Sequence, residues 1–207
     1  MRNFDTGWKT GPEYDLTRLK NDLFMAETYG KYEDGAFGHA ISLPESGNEH
    51  YNNQPYTGII KKTPYFKEIY DSFQTEVTSF RLLRRKAGTS YGIHNDRDMG
   101  DDIVRFQIPI RTNNGCWFGV TDCEMEEEWT EENSHTLYTF NKKFKPRFKN
   151  FRMEAGFIHT FNVKLNHSMF NEGNADRVTL SIDLKKNEWV DKFLSGFRKC
   201  QRVYSTT

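Results

Sequence analysis

The chain has 207 residues, 29 basic and 29 acidic side chains and no formal net charge, and aromatic residues make up 15% of it. That length allows one domain with a real core, and a balanced charge without a dominant basic stripe argues against a dedicated nucleic-acid binder. The opening residues Met1-Arg2-Asn3-Phe4-Asp5 lack an apolar run of signal-peptide length, and no stretch is long and apolar enough to span a bilayer. Cys116, Cys123 and Cys200 are sparse and odd in number, which suits reduced thiols better than disulfides or zinc. The expectation is a cytoplasmic protein without a membrane or nucleic-acid partner.

Asp15 to about Tyr29 carries Leu16, Leu19, Leu23 and Phe24 at helical spacing, with Gly30 as its stop. Residues 31–60, rich in Gly, Asn, Tyr and His, read as a long ordered loop; Tyr51, Asn52, Asn53 and Tyr56 make it a candidate lid. A second helix starts near Thr63-Pro64, because proline suits a first turn, and turns Tyr65, Phe66, Ile69, Tyr70 and Phe73 inward. From residue 77 the period changes to alternation. Predicted strands are Val77–Arg85, Tyr91–Asp96, Ile103–Arg111, Trp117–Thr121, Thr136–Phe140, Gly156–Phe161, His167–Asn171 and Arg177–Lys185. Short strands separated by turn residues suggest a barrel or jelly-roll sandwich, mainly β with flanking N-terminal helices. An insertion at about 124–150, acidic and then basic, interrupts the rhythm as a solvated hairpin or a docking arm. A last amphipathic helix bears Trp189, Val190, Phe193, Leu194 and Phe197 on one side. The organisation read from this is one domain over 1–207: helical and loop support over 1–76, a β-barrel core over 77–186, and a C-terminal helix and tail over 187–207.

His94-Asn95-Asp96 is the first chemical signal. On a strand, residues two apart share a face about 7 Å apart, so an imidazole and a carboxylate can bind one metal. Two histidines and one carboxylate on one face of iron(II) leave positions open for an oxoacid and dioxygen. His39 and His50 precede the barrel and His135 lies in the insertion, which leaves His159 and His167 as the second histidine. His167 is followed ten residues later by Arg177, across the turn Asn171–Asp176. In the strand beyond it, Arg177, Thr179, Ser181 and Asp183 alternate with Val178, Leu180, Ile182 and Leu184. A buried arginine there needs a carboxylate, and the distal carboxylate of 2-oxoglutarate supplies one for bidentate pairing. Thr179 or Ser181 adds a hydroxyl contact. In Ile103–Arg111, Arg105 and Gln107 likewise share a face, so Arg105 fits a substrate carboxylate, the metal-side end of the oxoacid, or an ordinary surface salt bridge.

The order Pro64-Tyr65, Arg81-Leu82-Leu83-Arg84, Ala87-Gly88-Thr89, His94-x-Asp96 and Arg105-Phe106-Gln107-Ile108-Pro109-Ile110-x-Thr112-Asn113 resembles the aspartyl/asparaginyl β-hydroxylase family. So does the later series Met153-x-Ala155-Gly156, Asn166-His167-Ser168, Asn171 and Asp176-Arg177-Val178-x-Leu180-x-x-Asp183. The likeness runs from about residue 63 to 185. It implies a double-stranded β-helix (a cupin-like jelly roll), iron(II), 2-oxoglutarate, dioxygen and C–H hydroxylation. It also implies metal ligation by His94, Asp96 and His167, an oxoacid salt bridge to Arg177, and no such role for His159. Animal members of the family lack the metal-binding carboxylate, so Asp96 makes this chain more similar to the bacterial branch that includes free-proline hydroxylases, and it argues against a halogenase. The insertion at 124–150 departs from the family pattern.

Three functions follow as expectations. The leading one is hydroxylation of a free amino acid or similar small carboxylate. The others are hydroxylation of a protein or peptide side chain, and a non-catalytic cupin-like binding domain.

Overall fold

The computed structural model describes residues 5–35, 38–44, 57–90, 93–121 and 149–199. The elements run β1 Lys9–Glu13, α1 Leu16–Tyr29, β2 Glu33–Gly35, β3 Gly38–Ser42, α2 Pro64–Ser72, β4 Val77–Arg85, β5 Thr89–Ser90, β6 Ile103–Arg111 and β7 Cys116–Thr121. They continue with β8 Lys149–Phe151, β9 Phe157–Thr160, β10 Asn166–Asn171, β11 Arg177–Lys185, α3 Glu188–Ser195 and β12 Arg198–Lys199. Among the described residues, eight strands form one sheet in the order β12-β1-β9-β6-β11-β4-β3-β2, and β5-β10-β7-β8 form a smaller one. The fold is the double-stranded β-helix expected from the sequence.

Alternation along β4, β6 and β11 explains the layering. Phe80, Leu82, Phe106, Ile108, Leu180 and Ile182 are fully buried on the outer face, where Leu19, Leu23, Phe66 and Val190 of the three helices cover them. The polar residues between them, Arg81, Arg105, Gln107, Thr179 and Ser181, are also buried and turn toward the smaller sheet. A second apolar cluster joins the sheets from within: Trp8 and Phe161 from the large sheet's rim meet Phe118, Val120, Phe151 and Met169 of the small one. The strand pattern thus makes one dry face and one face of buried polar groups, and chemistry belongs to the second.

The first two predicted helices and the long strands β4, β6 and β11 keep their bounds, and the last amphipathic helix ends at Ser195, short of Phe197. Four differences have physical reasons. Phe24 lies on the solvent side of α1, 69% exposed, because Asp22 and not Phe24 occupies the fourth inward position beside Leu19, Leu23 and Ala26. Of the expected strand Tyr91–Asp96, Tyr91 and Gly92 lie outside the described residues, and the rest is one antiparallel bridge, His94 to His167, followed by a 3-10 turn at Arg97–Met99. The turn-forming residues after His94, closing on Gly100 at φ 78°, prevail over the alternation. The stretch read as loop contains β3, which pairs with β4 from His39↔Arg84 to Ser42↔Arg81 and buries Ala40 and Ile41, with Leu43 buried just beyond it. Lys9–Glu13 adds a strand that no periodicity marked. The expected strand Thr136–Phe140, the lid residues Tyr51, Asn52, Asn53 and Tyr56, and nearly all of the 124–150 insertion lie outside the described residues.

Candidate active site

His94 and His167 are locked by backbone bonds in both directions: His94 N–H donates to the His167 carbonyl at 3.0 Å and His167 N–H to the His94 carbonyl at 2.7 Å. The Asp96 N–H donates to the Val163 carbonyl at 2.9 Å. Asn95 Nδ2 donates to Asn166 Oδ1 at 2.8 Å and stitches the same loop to β10. The result places His94 Nε2 3.9 Å from Asp96 Oδ1 and His167 Nε2 3.8 Å from Asp96 Oδ2. The donor atoms of all three residues lie within 4.8 Å of one another.

His167 is held in one tautomer. Its Nδ1–H donates to the Leu165 carbonyl at 2.8 Å, which leaves Nε2 with its lone pair toward Asp96 and His94. Phe118 stacks on the ring at 5.4 Å and Phe161 meets it edge-on at 5.1 Å. Burial, reinforced by His94 and Arg105, holds the His167 pKa well below 6.5. The ring is therefore neutral, the form that binds a metal. Two imidazoles and one carboxylate converging from a fixed backbone fit an iron(II) ion.

Arg177 begins β11 with its guanidinium buried. Its hydrogen-bond partner among the described residues is a thioether, Met153 Sδ, 3.1 Å from Nη2. Burial first, and then Arg85 across the strand pair, lower its pKa to about 10, while Cys116 acts in the other direction. On the same face, Thr179 Oγ1 and Ser181 Oγ are buried without a hydrogen-bond partner among the described residues. A buried cation beside buried, unsatisfied hydroxyls is a cradle shaped for an anion.

Arg105 differs from its expected place as a free inward cation. Its Nε and Nη2 donate to the two oxygens of Asp183 at 2.7 and 2.8 Å, and its Nη1 donates to Asp96 Oδ2 at 2.6 Å. It is buried, so the surface salt-bridge reading does not hold. Gln107 sits on the inner face of β6, in register with Ser181 on one side and His159 on the other. His159 is buried but pairs with β1 and β6 and lies apart from the triad's backbone bonds. Asp183, Met153 and Cys116 carry parts of the site that the sequence reading left without a role. For Asp183 a signal existed, its place two, four and six residues beyond Ser181, Thr179 and Arg177 on one strand face.

No family model matches the chain, and no curated protein sequence does either. Solved structures do resemble it. HygX from Streptomyces hygroscopicus, with nickel and 2-oxoglutarate bound, superposes with a TM-score of 0.56 at 13% identity, covering 88% of this chain and 84% of that one. An oxidoreductase of the 2OG-Fe(II) oxygenase family from Burkholderia pseudomallei gives a TM-score of 0.53 at 13% identity, covering 87% and 86%. EvdMO1 gives 0.51 at 15% identity over 88% of this chain, which spans about half, 48%, of that protein's length. The architecture of this chain is therefore the double-stranded β-helix found in structures of 2-oxoglutarate–iron(II) oxygenases.

Proposed function

We propose that the chain is an iron(II)- and 2-oxoglutarate-dependent oxygenase that hydroxylates an unactivated C–H bond of a free amino acid or a similar small carboxylate. Arg177 carries the reading. An isolated buried guanidinium costs several kcal/mol unless an anion pairs with it, and its described hydrogen-bond partner is a thioether. The distal carboxylate of 2-oxoglutarate fits that position, with Thr179 and Ser181 beside it on the same strand face. His94, Asp96 and His167 would hold the iron. When bound, iron with 2-oxoglutarate and dioxygen supplies the oxidation, in which the oxoacid becomes succinate and carbon dioxide and one oxygen atom enters the substrate C–H bond.

The chain's own residues do the positioning. Arg177 binds and orients the oxoacid, the Leu165 carbonyl keeps the proton on His167 Nδ1, and Phe118 and Phe161 shield the ring from water. Arg81 and Arg85 lie on the inner face of β4, in register with Ser181 and Arg177 of β11, and guanidiniums on that face suit a substrate that bears a carboxylate. The motifs from 63 to 185, with Asp96 present, favour the bacterial branch of the aspartyl/asparaginyl β-hydroxylase type that includes free-proline hydroxylases.

The test is a screen of amino acids against peptides with iron(II), 2-oxoglutarate and air, reading succinate. At least one free amino acid is expected to raise succinate formation above the uncoupled rate, and Arg177→Ala to raise the KM for 2-oxoglutarate roughly 10- to 100-fold, the worth of hydrogen bonds to a charged group. Stimulation by peptides alone would move the substrate to a protein side chain.

A further inference from the structure

The carboxylate of Asp183 is the most deeply buried one near the site, 2% exposed, and the oxygenase reading gives it nothing to do. It sits on β11 directly across from Arg105 on β6. Both of its oxygens accept from one edge of the Arg105 guanidinium, Nε at 2.7 Å and Nη2 at 2.8 Å. The remaining edge reaches the metal site: Nη1 donates to Asp96 Oδ2 at 2.6 Å. The backbone of Arg105 is fixed as well, since Thr160 Oγ1 donates to its carbonyl at 2.8 Å. A planar fork clamped on one side cannot turn, so the N–H on its other side has a fixed direction.

We propose that Asp183 is a positioning residue of the metal centre: through Arg105 it fixes the orientation of Asp96, holding Oδ2 on the guanidinium and leaving Oδ1 for the ion. This rests on the oxygenase reading and deepens it. Two consequences follow from the charges. Asp96 and Asp183 against Arg105 leave the relay with one negative charge beside two imidazoles, which favours a dication. Without the Asp183 carboxylate, Arg105 is released, the relay is neutral, and the freed guanidinium competes with the metal for Asp96. Lysine at 105 keeps the charge but has a single nitrogen, which cannot bridge two carboxylates along opposite edges. Loss of partners behind a metal ligand commonly weakens metal binding 10- to 100-fold.

The experiment uses cobalt(II) as probe on the intact chain, with affinity measured by competition with a metallochromic chelator and the visible ligand-field band recorded, far below the unfolding temperature. Asp183→Asn is expected to bind cobalt about 10- to 100-fold more weakly than wild type and to shift the band, because Asp96 changes its pose. Arg105→Lys is expected to do the same, and it decides the matter alone if Asp183→Asn does not fold. Wild-type affinity and an unchanged band in the folded variants would reduce Asp183 to a structural buried pair and overturn the proposal while the oxygenase reading stood. Failure of the wild type itself to bind cobalt would remove the metal centre and this inference with it.

Discussion

His159 and His167 show how two histidines of similar burial come to differ. His159 is 2% exposed, with Nδ1 3.2 Å from Thr10 Oγ1 and Nε2 3.3 Å from the Glu154 carbonyl. Burial first, helped by the charge of Arg177 and opposed by the bond with Glu154, lowers its pKa from 6.5 to about 4. Between those values the unfolded chain binds a proton that the folded chain refuses. The stabilisation is therefore complete above pH 6.5 and is lost as pH falls toward 4. Urea denaturation from pH 7 to 4 is expected to show stability falling with a shallower slope in His159→Gln than in wild type; equal slopes would show that His159 titrates normally. Along the chain both histidines were open candidates. The residues' identity does not separate them, but the strand register does, because His167 faces His94 and His159 faces Gln107 and Thr10. The same holds for Arg105 and Asp183. Alternation put each on a polar face, but only the pairing of β6 with β11 makes them partners.

At the level of elements, α2 illustrates a contact that no local pattern reveals. Thr63 precedes its first turn without capping it by side chain. The cap comes from α1, where Asp22 Oδ2 accepts the Phe66 N–H at 2.7 Å in a buried setting. Burial raises the Asp22 pKa against that bond. Asp22→Ala is expected to lower unfolding free energy by about 2 kcal/mol through the lost charged hydrogen bond, read as a lower urea midpoint at unchanged slope. An unchanged midpoint would mean that α2 needs no such cap. The starts of α1 and α2 were legible because Asp15 and Pro64 mark them and apolar spacing continues from each, whereas α3 was legible from apolar spacing alone, and its end at Ser195 was not. β3 was not, since Ala40-Ile41 is too short a run to choose between strand and loop. Over Ile93–Asp96 the expected strand gave way for the opposite reason: alternation was present, and turn residues overrode it.

For the whole molecule, the long strands were readable as strands but not as neighbours. β11 lies between β6 and β4, so Ser181 meets Gln107 on one side and Arg81 on the other across long sequence separations. Asn171 then ties the sheets together at the Arg177 end, donating from Nδ2 to the carbonyls of Arg85 and Lys86 and accepting from Cys116 Sγ and Asn113 Nδ2. At the other end of β10, the backbone bonds of His94 with His167 and of Asp96 with Val163 bring the His94–Asp96 loop against His167. The central claim is that these groups bind iron(II) and 2-oxoglutarate together. It is tested most directly by adding both to metal-free protein without oxygen and recording the weak visible charge-transfer band of the chelated oxoacid. The band is expected in wild type, absent in His167→Ala, and restored in Arg177→Ala only at roughly 10- to 100-fold more 2-oxoglutarate. A wild-type protein that shows no band and binds no metal would contradict the assignment and leave a β-helix that binds some other ligand.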